Sequence, residues 1–220
     1  GTGAGEYIDL NGDLTISGGT MNVHGGYDRS YWPYNNDASI TMSDGILDFH
    51  DKGVLVYNTG LNLIPNITGG TIRVAQGFAA ERADWTPSAG AVELYGGADA
   101  LILTVNGASF YDVVITKTGG KGGTTAVQDR NGTQNPMQKA NTVLAGSDLE
   151  ITHDLNIDAG TFNVNGHAVY VDYAVNVSGT LMMTNVADEL HAFELLWKTG
   201  SYSNINNGSI HLVNGNWFNN

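Results

Sequence analysis

A bend followed by an alternating strand recurs along this chain: an apolar residue, a short polar step, Gly, one residue, then apolar residues at every second position. The copies are ISGGTMNV, MSDGILDF, ITGGTIRV, SAGAVELY, IDAGTFNV, VSGTLMM and INNGSIHL, with Gly19, Gly45, Gly70, Gly90, Gly160, Gly179 and Gly208 at their bends. Two residues past each glycine stand Met21, Leu47, Ile72, Val92, Phe162, Leu181 and Ile210, and four past stand Val23, Phe49, Val74, Leu94, Val164, Met183 and Leu212. Between them lie Asn22, Asp48, Arg73, Glu93, Asn163, Met182 and His211. A period of two with one apolar side predicts strands buried on one face. The glycine predicts a bend where a side chain would collide or φ must turn positive. Where the repeat is unbroken, the glycines recur about every 19 to 29 residues, the spacing of a solenoid winding rather than of hairpins in a sandwich. The chain therefore reads as all-β, a single-domain parallel β-solenoid over residues 1–220. Its hand is expected to be right-handed, from the general preference of crossover connections. The seven glycines should stack at the bends in one column, with the residues two past them buried.

Three stretches break the pattern and are predicted as inserted loops: 25–37 (GGYDRSYWPYNND), 78–88 (FAAERADWTPS) and 118–141, the last rich in glycine and without apolar periodicity. Residues 186–200 fit a helix through Leu190, Phe193 and Leu196, or a strand through Phe193, Leu195 and Trp197. The repeat context favours the strand.

Composition supports a turn-rich chain that still has a core, with 30 Gly, 4 Pro, 14% charged and 41% hydrophobic residues. A formal charge of -13 with only nine Lys and Arg opposes binding to nucleic acid or to an anionic membrane surface. Cations and neutral polymers fit better. No stretch has the length of a membrane-spanning helix, no signal peptide pattern is present, and a chain starting at Gly1 reads as a processed form or an excerpt. The lack of cysteine is silent on redox compartment.

The runs GDLTISGGTMNV, HDLNIDAGTFNVNGHAVYV and TGSYSNINNGSIHLVNGNWF resemble the Gly-rich β-solenoid repeat regions of large secreted surface proteins of Bacteroidota-like bacteria. The resemblance covers most of the chain outside the loops. It implies an extracellular or cell-surface bacterial protein that serves as a stalk, adhesin or filament component and carries no catalytic motif. A non-enzymatic structural protein is thus the expected function, with a glycan-binding module as the alternative.

Stacked windings place equivalent positions in ladders, so Asn22, Asp48, Arg73 and Glu93 should lie side by side, and likewise His24, His50, Ala75 and Tyr95. This predicts ion pairs from Arg73 to Asp48 or Glu93. It also gives His24, Asp48 and His50 the donor types of a divalent metal site, beside the plainer reading of a solvated polar face. No cofactor is expected apart from adventitious calcium, since DLNGD (9–13) and DLNID (154–158) open like an EF-hand loop but lack its glycine and closing acid. Tyr27, Tyr31, Trp32, Tyr34 and Trp85 are candidates for a polysaccharide-stacking surface, or for a small satellite core on the rod. Asp148, Glu150 and Asp154 alternate as hydrolase acids do, but read more simply as a solvated strand edge. The last strand offers Ile210, Leu212, Trp217 and Phe218 with no charged residue after Lys198. An open edge of that kind predicts end-to-end self-association, or docking on further repeats of a longer chain.

Overall fold

The computed structural model describes residues 13–23, 30–32, 39–50, 53–56, 65–105, 107–119, 127–128, 134–135 and 141–219, and every regular element among them is a strand. The chain is a β-solenoid. One sheet runs in the order β1 (Asp13–Asn22), β3 (Ser39–Asp48), β5 (Asn66–Val74), β7 (Ala89–Gly96), β9 (Asp112–Lys117), β14 (Leu155–Ala159), β16 (Ala168–Val177), β18 (Glu189–Trp197) and β20 (Ser209–Asn219), with β13 (Leu149–Ile151) also on β16. The second runs from β2 (Ser30–Trp32) through β4 (Gly53–Val56), β6 (Gly77–Ala80), β8 (Ala100–Thr104), β12 (Thr142–Ala145), β15 (Thr161–Asn163) and β17 (Thr180–Met183) to β19 (Tyr202–Ile205). Neighbours in both sheets pair in parallel, for instance β3 with β5 and β15 with β17. Successive strands of the windings thus alternate between the two sheets, with β13 and β14 sharing one rung of the first.

The long strands of the first sheet change register partway, between Ser17 and Thr20 in β1, Thr68 and Thr71 in β5, and Val171 and Ala174 in β16. A bulge bends a strand, so each long strand supplies two segments and a winding offers three apolar faces to one core. On the segment after the bulge, Met21, Leu47, Ile72, Val92, Val113, Leu155, Val175 and Leu195 are successive ladder partners. All but half-buried Met21 are buried. Each such side chain stabilises the fold by about 1.5–3 kcal/mol when fully buried.

The repeat glycines occupy three kinds of bend rather than one column. Gly19, Gly45, Gly70 and Gly90 stack inside the long strands with φ of 73°, 83°, 81° and 89°. Gly160 and Gly179 instead stack at the corner leading into β15 and β17, and Gly208 precedes β20. Phe162 and Leu181 therefore line the second sheet, opposite Val143. The motif encodes a bend followed by a strand, and each bend of the winding can use it. Burial follows as expected at Leu47, Ile72, Val92, Phe162 and Leu181, whereas Met21 and Ile210, on the first and last rungs, are only half-buried.

Two of the expected insertions carry part of the winding. Within 25–37, Ser30–Trp32 forms β2 on β4; within 78–88, the chain leaves β6, which begins at Gly77, and Phe78 and Ala80 are buried in the core. Gly-Phe-Ala-Ala has no polar alternation to announce a strand, because its outward position is only another alanine. Gly77 is required there: a Cβ would stand 2.3 Å from the Leu101 carbonyl oxygen. The third insertion does leave the sheets. Its described strands, β10 (Val127–Gln128) and β11 (Gln134–Asn135), pair antiparallel with each other alone. Residues 189–197 form strand β18, with Leu195 and Trp197 buried and Phe193 turned outward at its bulge.

Candidate functional site

The outward positions after the bulge in β1, β3, β5 and β7 bring Asn22, Asp48, Arg73 and Glu93 into one ladder. Arg73 Nε donates to Glu93 Oε2 at 2.7 Å, and Nη1 donates to Asp48 Oδ2 at 3.2 Å. Tyr95 OH donates to Asp48 Oδ1 at 2.7 Å, which also accepts the His50 amide at 2.7 Å. Thr116 Oγ1 donates to Glu93 Oε1 at 2.6 Å, and the Arg73 guanidinium lies 4.2 Å from the Tyr95 ring centroid. Burial, then donation to Asp48, pushes the Tyr95 phenol well above its ordinary range. Asp48 is thus engaged by Arg73, Tyr95 and the His50 backbone, in keeping with the polar-face reading of this ladder, and of its candidate metal partners His24 lies outside the described residues. The network joins four rungs and is structural. Arg73→Met leaves buried Asp48 without its counter-ion and is expected to cost about 1–2 kcal/mol, less than a fully buried pair because Arg73 is partly exposed; urea unfolding of the variant against Asp48→Asn/Arg73→Met measures it.

Of the candidate sugar-stacking aromatics, Trp85 is the one whose side chain lies among the described residues. Trp85 is 2% exposed, packs at 5.3 Å from Phe78 in a cluster that includes Phe110, and its indole N–H has no acceptor among the described residues. It is core, not a surface for sugars. Tyr31 and Trp32 have their backbone in β2, and Tyr27 and Tyr34 lie outside the described residues.

Exposed rings instead gather on the later rungs. Tyr170 stacks on His191 at 4.6 Å and 20°, and His191 on His211 at 4.5 Å and 16°. A second column places Tyr111 on His153 at 4.7 Å and 11°, with Tyr173 tilted beyond it at 4.9 Å. The first column follows from register, since Tyr170, His191 and His211 are ladder partners. Its sequence signal is the alignment of AVYV (168–171), ELHA (189–192) and SIHL (209–212). Rings stacked along the ladder cover one another's faces and show solvent their edges. Such a column offers a sugar little flat surface.

Among the described residues, two groups bring metal-donor types together: Asp112, His153 and Asp154, and Glu189, His191 and His211. In the first, Asp112 Oδ1 accepts from His153 Nδ1 at 2.7 Å and from the Asp154 amide at 3.1 Å, while Asp154 Oδ1 accepts the Ala174 amide at 2.9 Å. The hydrogen bond to Asp112 raises the His153 pKa. These oxygens close the bend between rungs.

Lys117 is the group that sequence reasoning passed over. It continues the inward parity of Val113 and Ile115 and is 1% exposed. Its Nζ donates to the Ala75 carbonyl and, at 2.8 Å, to the Tyr95 carbonyl. Burial pulls its pKa down to about 7, against the attraction of Asp99. Asp99, itself pushed up by burial, accepts the Thr142 amide at 2.9 Å. Lys117 and Thr142 flank the 118–141 insertion, so this cluster anchors both ends of it.

No protein-family model, curated protein or solved structure matches the chain.

Proposed function

We propose that the chain is a non-enzymatic structural element of a bacterial cell surface, a stalk, adhesin or filament segment that extends by docking its terminal rung on another copy. The observation that carries this reading is the β20 edge. Strand β20 is 11 residues long and pairs with β18 on one side; among the described residues nothing pairs with its other side. Natural sheets blunt such edges with charge, proline or a covering segment. Here β20 contains none of the charged types Asp, Glu, Lys or Arg and no proline, Val213 is 85% exposed, and Ile210 and Leu212 are only half-buried. Trp217 and Phe218 continue the same strand. The stacked ring column also ends at His211, whose exposed side is available to a ring of a following rung.

The polysaccharide alternative loses Trp85 to the core and gains stacked columns that expose mainly ring edges. End-to-end docking is therefore favoured, with an extracellular setting following from the acidic, glycine-rich repeats. Sedimentation and electron microscopy at about 0.15 M salt, where the repulsion of a strongly acidic chain is screened beyond roughly 8 Å, test it. Wild type is expected to associate into linear oligomers as concentration rises, and Val213→Lys to remain monomeric. A wild-type chain that stays monomeric across the range overturns the self-docking reading.

A further inference from the structure

We propose that Glu189, His191 and His211 form a binding site for a borderline divalent transition metal, with Zn2+ as the expected ion, which clips the last rung to the one before it. The site is built by register. Glu189 pairs with Ser209 and His191 with His211, so two outward columns, two residues apart, meet on adjacent strands β18 and β20. His191 Nε2 lies 3.1 Å from Glu189 Oε2, and His211 Nε2 lies 3.1 Å from Ser209 Oγ. Both ring nitrogens therefore face the same neighbouring column. The donor atoms of Glu189, His191 and His211 all fall within 4.8 Å of one another.

Two imidazoles and a carboxylate are the three-ligand set that zinc accepts with a fourth, open position for water. Tetrahedral bonds of about 2.0–2.1 Å place donors roughly 3.4 Å apart. Reaching that geometry from 4.8 Å needs rotation of half-buried and exposed side chains, with the backbone ladder left in place. Among the described residues, the side-chain hydrogen bonds of this group run to one another and to the Ser209 hydroxyl rather than to the backbone. The other donor group differs in this respect, because Asp112 and Asp154 already accept backbone amides that close a bend. Tyr170 stacks on the inner face of the His191 ring and limits its rotation. The chain's formal charge of -13 raises the local concentration of cations around the site. Nitrogen donors select zinc, nickel or copper over the hard ions calcium and magnesium, which prefer all-oxygen shells.

The consequence is local stability. A metal bound by β18 and β20 together adds a bond across the edge whose strand is otherwise held from one side. The test is calorimetric titration of the whole chain with zinc chloride, paired with hydrogen exchange of the β20 amides. One ion per chain is expected at micromolar affinity, with slower exchange in β20 and no binding of calcium or magnesium. His191→Ala and His211→Ala should each weaken zinc binding by at least about tenfold, while His153→Ala leaves it unchanged. Since His211 is exposed, His211→Asn serves as a second variant that keeps a polar outward residue, and its apo exchange pattern checks that β20 remains paired. Absence of zinc binding by wild type, binding that survives both His191→Ala and His211→Ala, or binding lost in His153→Ala overturns the assignment.

Discussion

Gly90→Ala is expected to destabilise the chain by about 3–4 kcal/mol, while Gly200→Ala costs only about 1 kcal/mol. The two glycines share φ = +89°, so the conformational penalty of placing a side chain in the left-handed region is the same for both. What differs is the rung beneath. A Cβ on Gly90 would stand 2.8 Å from the Gly70 carbonyl oxygen and 2.9 Å from the Gly69 carbonyl carbon, whereas nothing lies within 4 Å of one on Gly200. Backbone cannot rotate away as a side chain can, so the ladder between β5 and β7 must open. Urea unfolding of both variants isolates this contact; equal losses would show that the glycine column is set by φ alone and that rung spacing plays no part.

The stability of the wild-type chain is expected to rise by about 2–3 kcal/mol between pH 7.5 and 9.5, and this rise should vanish in Lys117→Met. The sign follows from proton counts. In the unfolded chain the amine keeps its proton up to its ordinary 10.5, but in the fold burial lowers its pKa to about 7. Between those values the unfolded chain holds the extra proton, so removing protons from solution favours the fold. His153, raised by its hydrogen bond to Asp112, contributes in the opposite sense: its charge stabilises the fold at low pH and that contribution is lost as pH climbs through its folded pKa, in wild type and Lys117→Met alike. The Tyr95 phenol, raised by burial, begins to oppose folding only above its ordinary 10.0. Urea midpoints across this range for wild type and Lys117→Met measure the effect, and parallel curves for the two proteins would mean that Lys117 stays charged, held by Asp99 and the two carbonyls.

The strands and one ladder were legible because both depend on short-range pattern. Alternation after each glycine specified Leu47, Ile72 and Val92 as core, and glycine-to-glycine alignment placed Arg73 between Asp48 and Glu93. The same alignment misplaced Gly160 and Gly179, since a bend-and-strand motif does not say which of three bends it makes. Trp85 resembled an exposed loop aromatic for want of periodicity around it; its burial is decided by Phe78, earlier on the same winding, which in turn packs on Phe110 of the next. Lys117 was readable by parity, two residues past Ile115, but charge argued for the surface and parity prevailed. The His191–His211 pair needed the register of β18 on β20, which only the three-dimensional ladder supplies.

The parallel ladder also fixes how such a chain would respond to pulling. Hydrogen bonds between rungs point along the stacking direction, while the covalent chain runs across it, so tension on the two ends loads the outermost rung first. Residues one rung apart, such as Asp154 and Ala174, are separated by 20 positions. Releasing a single winding therefore pays out about 70 Å of extended chain, compared with the ~4.8 Å it occupied in the stack. A tether made of such windings would lengthen in steps, each dissipating work while the rungs behind it remain folded.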